Sequence, residues 1–322
     1  MKKTNWGKHV VAVILVLFWL IMFVMNKNFR LGDNLASILR EAATAGIAAL
    51  GMTLIIIMGD FDLSIGSMVA LLGIIMAGIM NTVGLIFSLT VVCVAGMVCG
   101  LVNGVIIAYF KVPAFITTLG TYYSFRAIAY ILNNANTIMC TNPTFLKIGN
   151  GNIGVIPIPF VILLVLGIVL AMVLNRTVYG RNVRALGNSE KACRISGINT
   201  KRVKMLAFLL MGLCTAVSTV IITARQACAS PDVAINFHFE AITVVVLGGT
   251  KLIGGEGSIF NTIIAAVLYA SVSNCLNLYH VDAKWQRICM GLILLAAFSF
   301  DFIQRLVVTV RENSQKKTVR KV

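Results

Sequence analysis

Charge is what this sequence most lacks. Asp, Glu, Lys and Arg make up 12% of its 322 residues, and only eleven residues are acidic. A soluble globular chain carries about 25% charge and about 45–50% apolar residues. Histidine is almost as scarce. His9, His238 and His280 are far apart and form no H-E-x-x-H pair, which leaves no histidine-based metal or catalytic set. The eight cysteines include no C-x-x-C pair and no Cys/His cluster. Cys93, Cys99, Cys214, Cys275 and Cys289 sit inside apolar runs and read as small packing residues rather than ligands or disulfides.

In place of charge there is hydrocarbon. The chain is 59% hydrophobic, with a mean hydropathy of +0.93. A water-soluble fold of this length has no interior large enough for so much apolar surface, so the excess must face lipid or other embedded helices. The runs 10–24 and 161–174 carry no charge at all. Backbone groups in a bilayer must bond internally, so such runs are helices and not open strands. The net charge of +16 suggests nucleic acid at first sight. However, long apolar runs separate the basic residues and no basic face forms, so no nucleic-acid partner is expected.

Ten apolar segments can be marked, near 9–25, 41–58, 63–80, 85–107, 113–132, 156–174, 203–224, 240–252, 259–278 and 286–304. The segment near 240–252 is short for a span of about 20 residues, and Gly248-Gly249 interrupts it, so a broken or re-entrant element is expected there. Residues 1–8 and the run behind them imitate a signal peptide. The run is long and no small-residue cleavage site follows, which implies an uncleaved first span. Ten spans place both termini on one side. If that side is cytoplasmic, the inner segments hold 19 basic residues and the outer ones seven, as the positive-inside rule requires. The fold class is therefore an all-α integral membrane protein of about ten transmembrane helices with broken or re-entrant Gly-rich segments. One transmembrane domain is expected over 1–310, followed by a basic tail over 311–322. Two loops are long enough to have a function. One is an outer loop near 133–155, rich in Asn, Thr and Gly, and the other is a strongly basic inner loop near 175–204.

Several motifs stand out from the apolar background. Residues 59–67 read Gly-Asp-Phe-Asp-Leu-Ser-Ile-Gly-Ser and join two apolar runs. Asp60 and Asp62 are costly near hydrocarbon. Asp62 or Ser64 can cap the following helix, and the same turn can line a pathway. No other carboxylate or histidine lies within loop reach, so a metal site is not expected. Met52–Ser67 and Ile242–Ser258 echo one another: in each, a β-branched apolar run meets a Gly-rich turn ending in Gly-Ser. Paired interrupted segments of this kind are the mark of internally duplicated transporters, with chance likeness of apolar strings as the rival reading. Arg126 sits inside a span, where an arginine either faces protein or water and needs a partner or snorkels toward the outer interface, the slightly favoured reading. Within the inner loop, 187–197 has a short helical pattern. Ala192, Ile195 and Ser196 fall on one side, with Asn188 or Ser189 as cap. Such a helix outside the membrane can be a lever gripped by a partner. Gly149–Gly154 fits G-x-G-x-x-G, but it follows no strand and precedes Pro157 and Pro159, so it reads as loop. No catalytic set and no nucleotide-binding motif is found.

Together these residues resemble the permeases of bacterial ribose-, galactose- and xylose-type ABC importers, in the superfamily that also holds branched-chain amino acid permeases. The turn resembles that family's G-G-I-D-L-S-x-G-S at Gly59, Asp62, Leu63, Ser64, Gly66 and Ser67. Residues 180–197 resemble its cytoplasmic coupling segment, 248–258 its second Gly-rich segment, and 112–121 a further stretch. The likeness covers roughly 40–300. The sequence departs from the pattern at Asp60 and Phe61, where Gly-Ile is usual, and at Lys251, where a small residue is usual.

The resemblance implies a permease subunit in the bacterial cytoplasmic membrane, both termini inside, carrying a monosaccharide-like solute. It implies a cytoplasmic ABC ATPase that holds the ATP and Mg, an external solute-binding protein and a second permease copy, with membrane lipid around them and no cofactor in this chain. The ATPase is expected to grip Asn188, Glu190, Lys191, Ala192, Arg194, Ser196 and Gly197. The pathway is expected at the turn with Asp60, Asn103, Thr117 and Thr118, and at Gly248, Gly249, Thr250, Gly254, Gly255 and Gly257. Lys147, Arg225, Lys284 and Arg287 can meet acidic patches of the binding protein. Three other readings compete with this one. They are an ion-coupled transporter using Asp60 and Asp62, a membrane enzyme with a carboxylate pair, and an ABC permease for an amino acid.

Overall fold

The computed structural model describes residues 10–296 and residue 299. The basic head and the tail over 311–322 lie outside the described residues, and so does the end of the 286–304 segment. All ten expected apolar segments fall on helices. These are α1 (Val10–Met25), α2 (Gly32–Ile57), α3 (Ile65–Val83), α4 (Leu85–Tyr109), α5 (Ala114–Leu132), α7 (Ile158–Arg176), α10 (Thr200–Gln226), α11 (Phe237–Leu247), α12 (Ile259–Leu278) and α13 over 283–296. Three short helices lie between them: α6 (Pro143–Asn150), α8 (Val178–Asn188) and α9 (Glu190–Ile195). Among the described residues, five helices are long and apolar enough to cross a membrane. The chain is an all-α multi-pass membrane protein.

Helix α2 is the axis of the bundle. Its second half is apolar around the whole circumference, and every residue from Ala45 to Ile57 is buried. A helix of that composition needs protein on all sides, and α7, α10, α11 and α12 supply it. The outward faces of α1, α4 and α7 are apolar too. Val16, Ile86 and Ile168 are exposed there, as lipid-facing residues should be.

The closest contact in the bundle is between α4 and α10. Gly96, Gly100 and Gly104 form a stripe at every fourth position, with Gly212 opposite. A side chain on Gly100 would strike the Phe208 carbonyl, and one on Gly212 would strike the Gly96 carbonyl. Glycine lets the two backbones touch, which is how helices associate where no hydrophobic effect drives them together.

Two chain segments leave helical structure inside the bundle. After α2 the chain runs through 58–64 to α3. Gly66, on the first turn of α3, presses on the Ala234 carbonyl, and Gly73 lies against Thr219 and Thr223 on α10. At about 1.5 Å per residue, α3 therefore starts roughly halfway along α10. From the opposite end, 227–236 dips inward to meet it before α11 begins. The short segment expected near 240–252 is thus a half-length helix of 11 residues running from mid-bundle to one end. The loop expected near 133–155 is more ordered than its composition suggests. It holds α6, strand β1 (Ile138–Met139) paired with β4 (Cys228–Ala229), and a small hairpin of β2 (Asn152–Ile153) and β3 (Ile156–Pro157).

Substituting leucine for Gly100 or Gly212 should destabilise the protein by about 1–3 kcal/mol or more through overpacking. A lowered melting midpoint in detergent reports this. Gly120→Leu, where an added carbon meets nothing within 4 Å, should melt like the parent.

Candidate functional site

Three helices at the α8–α9 end of the bundle finish in the same way. At α2, the Gly59 N–H donates to the Ile56 carbonyl (2.9 Å) and the Asp60 N–H to the Ile55 carbonyl (3.1 Å). At α11, Gly249 donates to Val246 (2.8 Å) and Thr250 to Val245 (3.3 Å), and at α9 Gly197 donates to Arg194 (3.1 Å) and Ile198 to Cys193 (3.0 Å). Each is a Schellman cap, which needs a left-handed residue after the helix. Gly59, Gly249 and Gly197 supply it at φ 85°, 77° and 77°. The two echoing sequence segments therefore close their helices identically and diverge only afterwards.

The capped ends converge. The Gly255 N–H donates to the Ile57 carbonyl at 2.8 Å. Gly187, near the end of α8, has no room for a side chain because the Ile57 carbonyl and the Gly255 nitrogen occupy its place. Asn188 lies over Gly255. The signature turn, the second Gly-rich segment and the segment leading into α9 thus share one backbone junction. Lys251 and Glu256 close the Gly-rich loop with a 2.7 Å ion pair. Thr250 is buried beneath it with an unpartnered hydroxyl.

Beyond Gly59 the two aspartates part. Asp62 is fully buried and caps the approach to α3, accepting from the Ser64 N–H (2.8 Å) and the Ser64 hydroxyl (2.6 Å). Asn103 on α4 donates to the Ser64 hydroxyl oxygen at 2.9 Å. One oxygen each of Asp62 and Asn103 has no partner. Leu63 is buried beside them. Thr117 and Thr118 are buried on the first turn of α5. Thr118 donates to the Ala114 carbonyl, while the Thr117 hydroxyl is unpartnered.

Asp60 turns the other way. Its carboxylate lies 3.3 Å from the Lys204 ammonium, which also pairs with Glu190 at 3.1 Å. Glu190 in turn holds Arg194. These four residues, with Lys111, Lys201 and Thr200, border a cavity of about 180 Å³ open at this end. Partial burial alone would raise the Glu190 pKa, but Lys204 and Arg194 outweigh it and hold the carboxyl below its ordinary range. Its ionised form therefore favours the folded state above the usual carboxylate titration, and that contribution is lost as pH falls through the lowered value.

Helix α9 stands outside the bundle. Ser189 caps it by accepting from the Ala192 N–H. Cys193 points inward and is buried, while Ile195 is 79% exposed. Lys191, Ala192 and Ser196 are exposed as well.

Arg126 does not snorkel. Only 9% of it is exposed. Its guanidinium donates to the Ser67 hydroxyl oxygen (3.3 Å), to the Val233 carbonyl (2.7 Å) and to the Pro231 carbonyl. The inward segment 227–236 presents carbonyls with no helical partner, and a buried arginine satisfies them better than an excursion to the interface would. Tyr122 adds a hydrogen bond to the Ile235 carbonyl (3.1 Å), and Tyr130 bonds Asp232. Ser230-Pro231-Asp232 is a turn signature between two apolar runs. It was the sequence signal for this segment. At the α6 end, Lys147, Lys284 and Arg287 are exposed. Arg225 is half-buried, with its guanidinium on the Thr44 hydroxyl at 2.9 Å.

Arg126→Met should strand the buried Pro231 carbonyl at about 1–3 kcal/mol, leave the part-buried Val233 carbonyl unpaired as well, and lower the melting midpoint. Arg126→Lys, with a charge but no fork, should fall between the two.

Residues 34–298 match the family described as "Branched-chain amino acid transport system / permease component". The chain is 34% identical to the ribose import permease of Haemophilus influenzae, over 90% of this chain and 91% of that one. It is 35% identical to the ribose import permease of Bacillus subtilis, over 88% of each. It is 32% identical to the L-arabinose transport system permease of Escherichia coli K12, over 92% of this chain and 90% of that one. No solved structure matches.

Proposed function

Because the chain belongs to the branched-chain amino acid transport system permease family, and is thus a transport subunit and not an enzyme, we propose that it forms the membrane pathway of an ATP-driven importer for a pentose-like monosaccharide. The relatives named for ribose and L-arabinose support the solute class. The observation that carries the coupling half of this reading is the backbone junction at Gly187. Through it the segment leading into an exposed helix is fixed to both interrupted helices.

In this reading the α8–α9 end faces the cytoplasm, and so do both termini. The basic residues of 176–204, Lys111 and Lys251 gather there, as the positive-inside rule favours. A partner ATPase, holding ATP and Mg, grips α9 through Ile195 and the surrounding Lys191, Ala192 and Ser196. Closure of the ATPase displaces α9 and shifts the Gly-capped helix ends as rigid bodies. The solute passes by Asp62, Asn103 and Thr117, whose unpartnered oxygens suit hydroxyl donors of a sugar. An external binding protein docks at the opposite end, where Lys147, Lys284 and Arg287 are free to meet acidic groups; Arg225, held by Thr44, contributes less. A second permease copy completes the channel.

The complex purified in mild detergent should contain a nucleotide-binding partner. Ile195→Asp should release that partner while leaving the melting midpoint of the permease unchanged. In proteoliposomes, uptake of labelled ribose or arabinose should require ATP and the binding protein. Uptake driven by an ion gradient alone, or preference for leucine over both sugars, would refute this assignment.

A further inference from the structure

Three charged side chains from three segments meet across the cavity at the α8–α9 end. Asp60 comes from the turn after α2, Glu190 opens α9, and Lys204 lies on the second turn of α10. The Lys204 ammonium is shared, 3.3 Å from Asp60 and 3.1 Å from Glu190. The two contacts differ in character. Lys204 and Asp60 have side chains only 14% and 16% exposed, while Glu190 is 36% exposed. A mostly buried pair resists separation, because removing one partner leaves the other charge stranded. A pair with one partner reaching solvent is screened more and exchanged more easily.

The Asp60 oxygen facing Lys204 makes no aligned hydrogen bond. Charge holds the contact at 3.3 Å. Arg194, Lys111 and Lys201 border the same cavity and offer the carboxylates other cations when α9 moves. From Asp60 the chain is two residues from Asp62, which holds Ser64 and, through it, Asn103. A continuous line of contacts thus runs from α9 through Lys204 into the buried polar group. At residue 60 the pattern that the 59–67 turn resembles usually has glycine, whereas this chain has the aspartate on which the line is built.

We propose that Lys204 is a positioning residue of the transport cycle. Its shared ammonium transmits displacement of α9 to the 59–64 turn and keeps the Asp62–Ser64–Asn103 group in its present arrangement until α9 moves. This rests on the permease reading above. A purely structural ion pair would stabilise the fold without altering how hydrolysis is converted into transport.

The test uses the full complex of permease, ATPase and binding protein in proteoliposomes, with ATP hydrolysis and labelled pentose uptake measured together. Lys204→Met and Asp60→Asn should each reduce pentose carried per ATP by about fivefold or more, the scale of a coupling free energy, while hydrolysis continues. The double variant should be no worse than either single one, since both remove the same link. Lys204→Arg should recover most of the ratio. An unchanged ratio in the single variants, or losses that multiply in the double, would overturn the proposal. If Lys204→Met does not assemble, Asp60→Asn decides alone, because it strands no charge in the turn, and a normal ratio there overturns the proposal. A parent complex that neither hydrolyses ATP nor carries pentose would instead sink the permease reading itself.

Discussion

The carbonyl of Ile57 is the constraint on which the rest of this structure depends. It ends a 26-residue helix whose last thirteen residues are all buried, at the point where the chain leaves helical structure. An unpaired backbone group in such surroundings costs several kcal/mol. The Gly255 N–H answers it, and that N–H can approach only because Gly187 has no side chain in the way. Satisfying one acceptor thus draws three distant segments together, and the junction between α8–α9 and both interrupted helices follows. Left-handed glycines at three helix ends serve the same demand locally.

The opposite interruption solves the same problem with a side chain. The Pro231 carbonyl, which is buried, and the Val233 carbonyl, which is partly buried, both receive the Arg126 guanidinium. An arginine has five donors in a fixed fork, so one residue can hold two carbonyls and Ser67 together. The two irregular segments meet where Gly66 presses on Ala234. Non-helical backbone at this depth is tolerated when protein surrounds it, and polar groups collect there because the backbone already requires them.

Much of this was legible in the sequence because membrane spans leave a strong apolar signal. Within the described residues every one of the ten segments falls on a helix, and the interruption at Gly248-Gly249 correctly marked α11 as short. The likeness between 52–67 and 242–258 proved to be a shared helix-ending geometry. What sequence could not show was pairing in space. Arg126 looked like a residue near an interface, since nothing along the chain announces carbonyls a hundred positions away. Asp60 and Asp62 read as a pair, but their side chains go to different neighbours, Lys204 and Ser64. The Gly96–Gly100–Gly104 stripe was visible but merged with a glycine-rich, apolar background. The order in 133–155 depends on β4 and on Arg40, whose guanidinium reaches Asn152 at 2.8 Å.

The seam between α4 and α10 has a consequence for how the protein bears the membrane around it. Where backbones touch through glycine, there are no rotamers to adjust and no side-chain volume to compress. Lateral pressure from the lipid is therefore borne at the seams filled by leucine and isoleucine, such as that of α2 with α7, where Leu163 and Leu170 are buried. A thicker or stiffer bilayer would load those seams first. The α4–α10 pair would hold its spacing and serve as the keel against which the other helices are displaced.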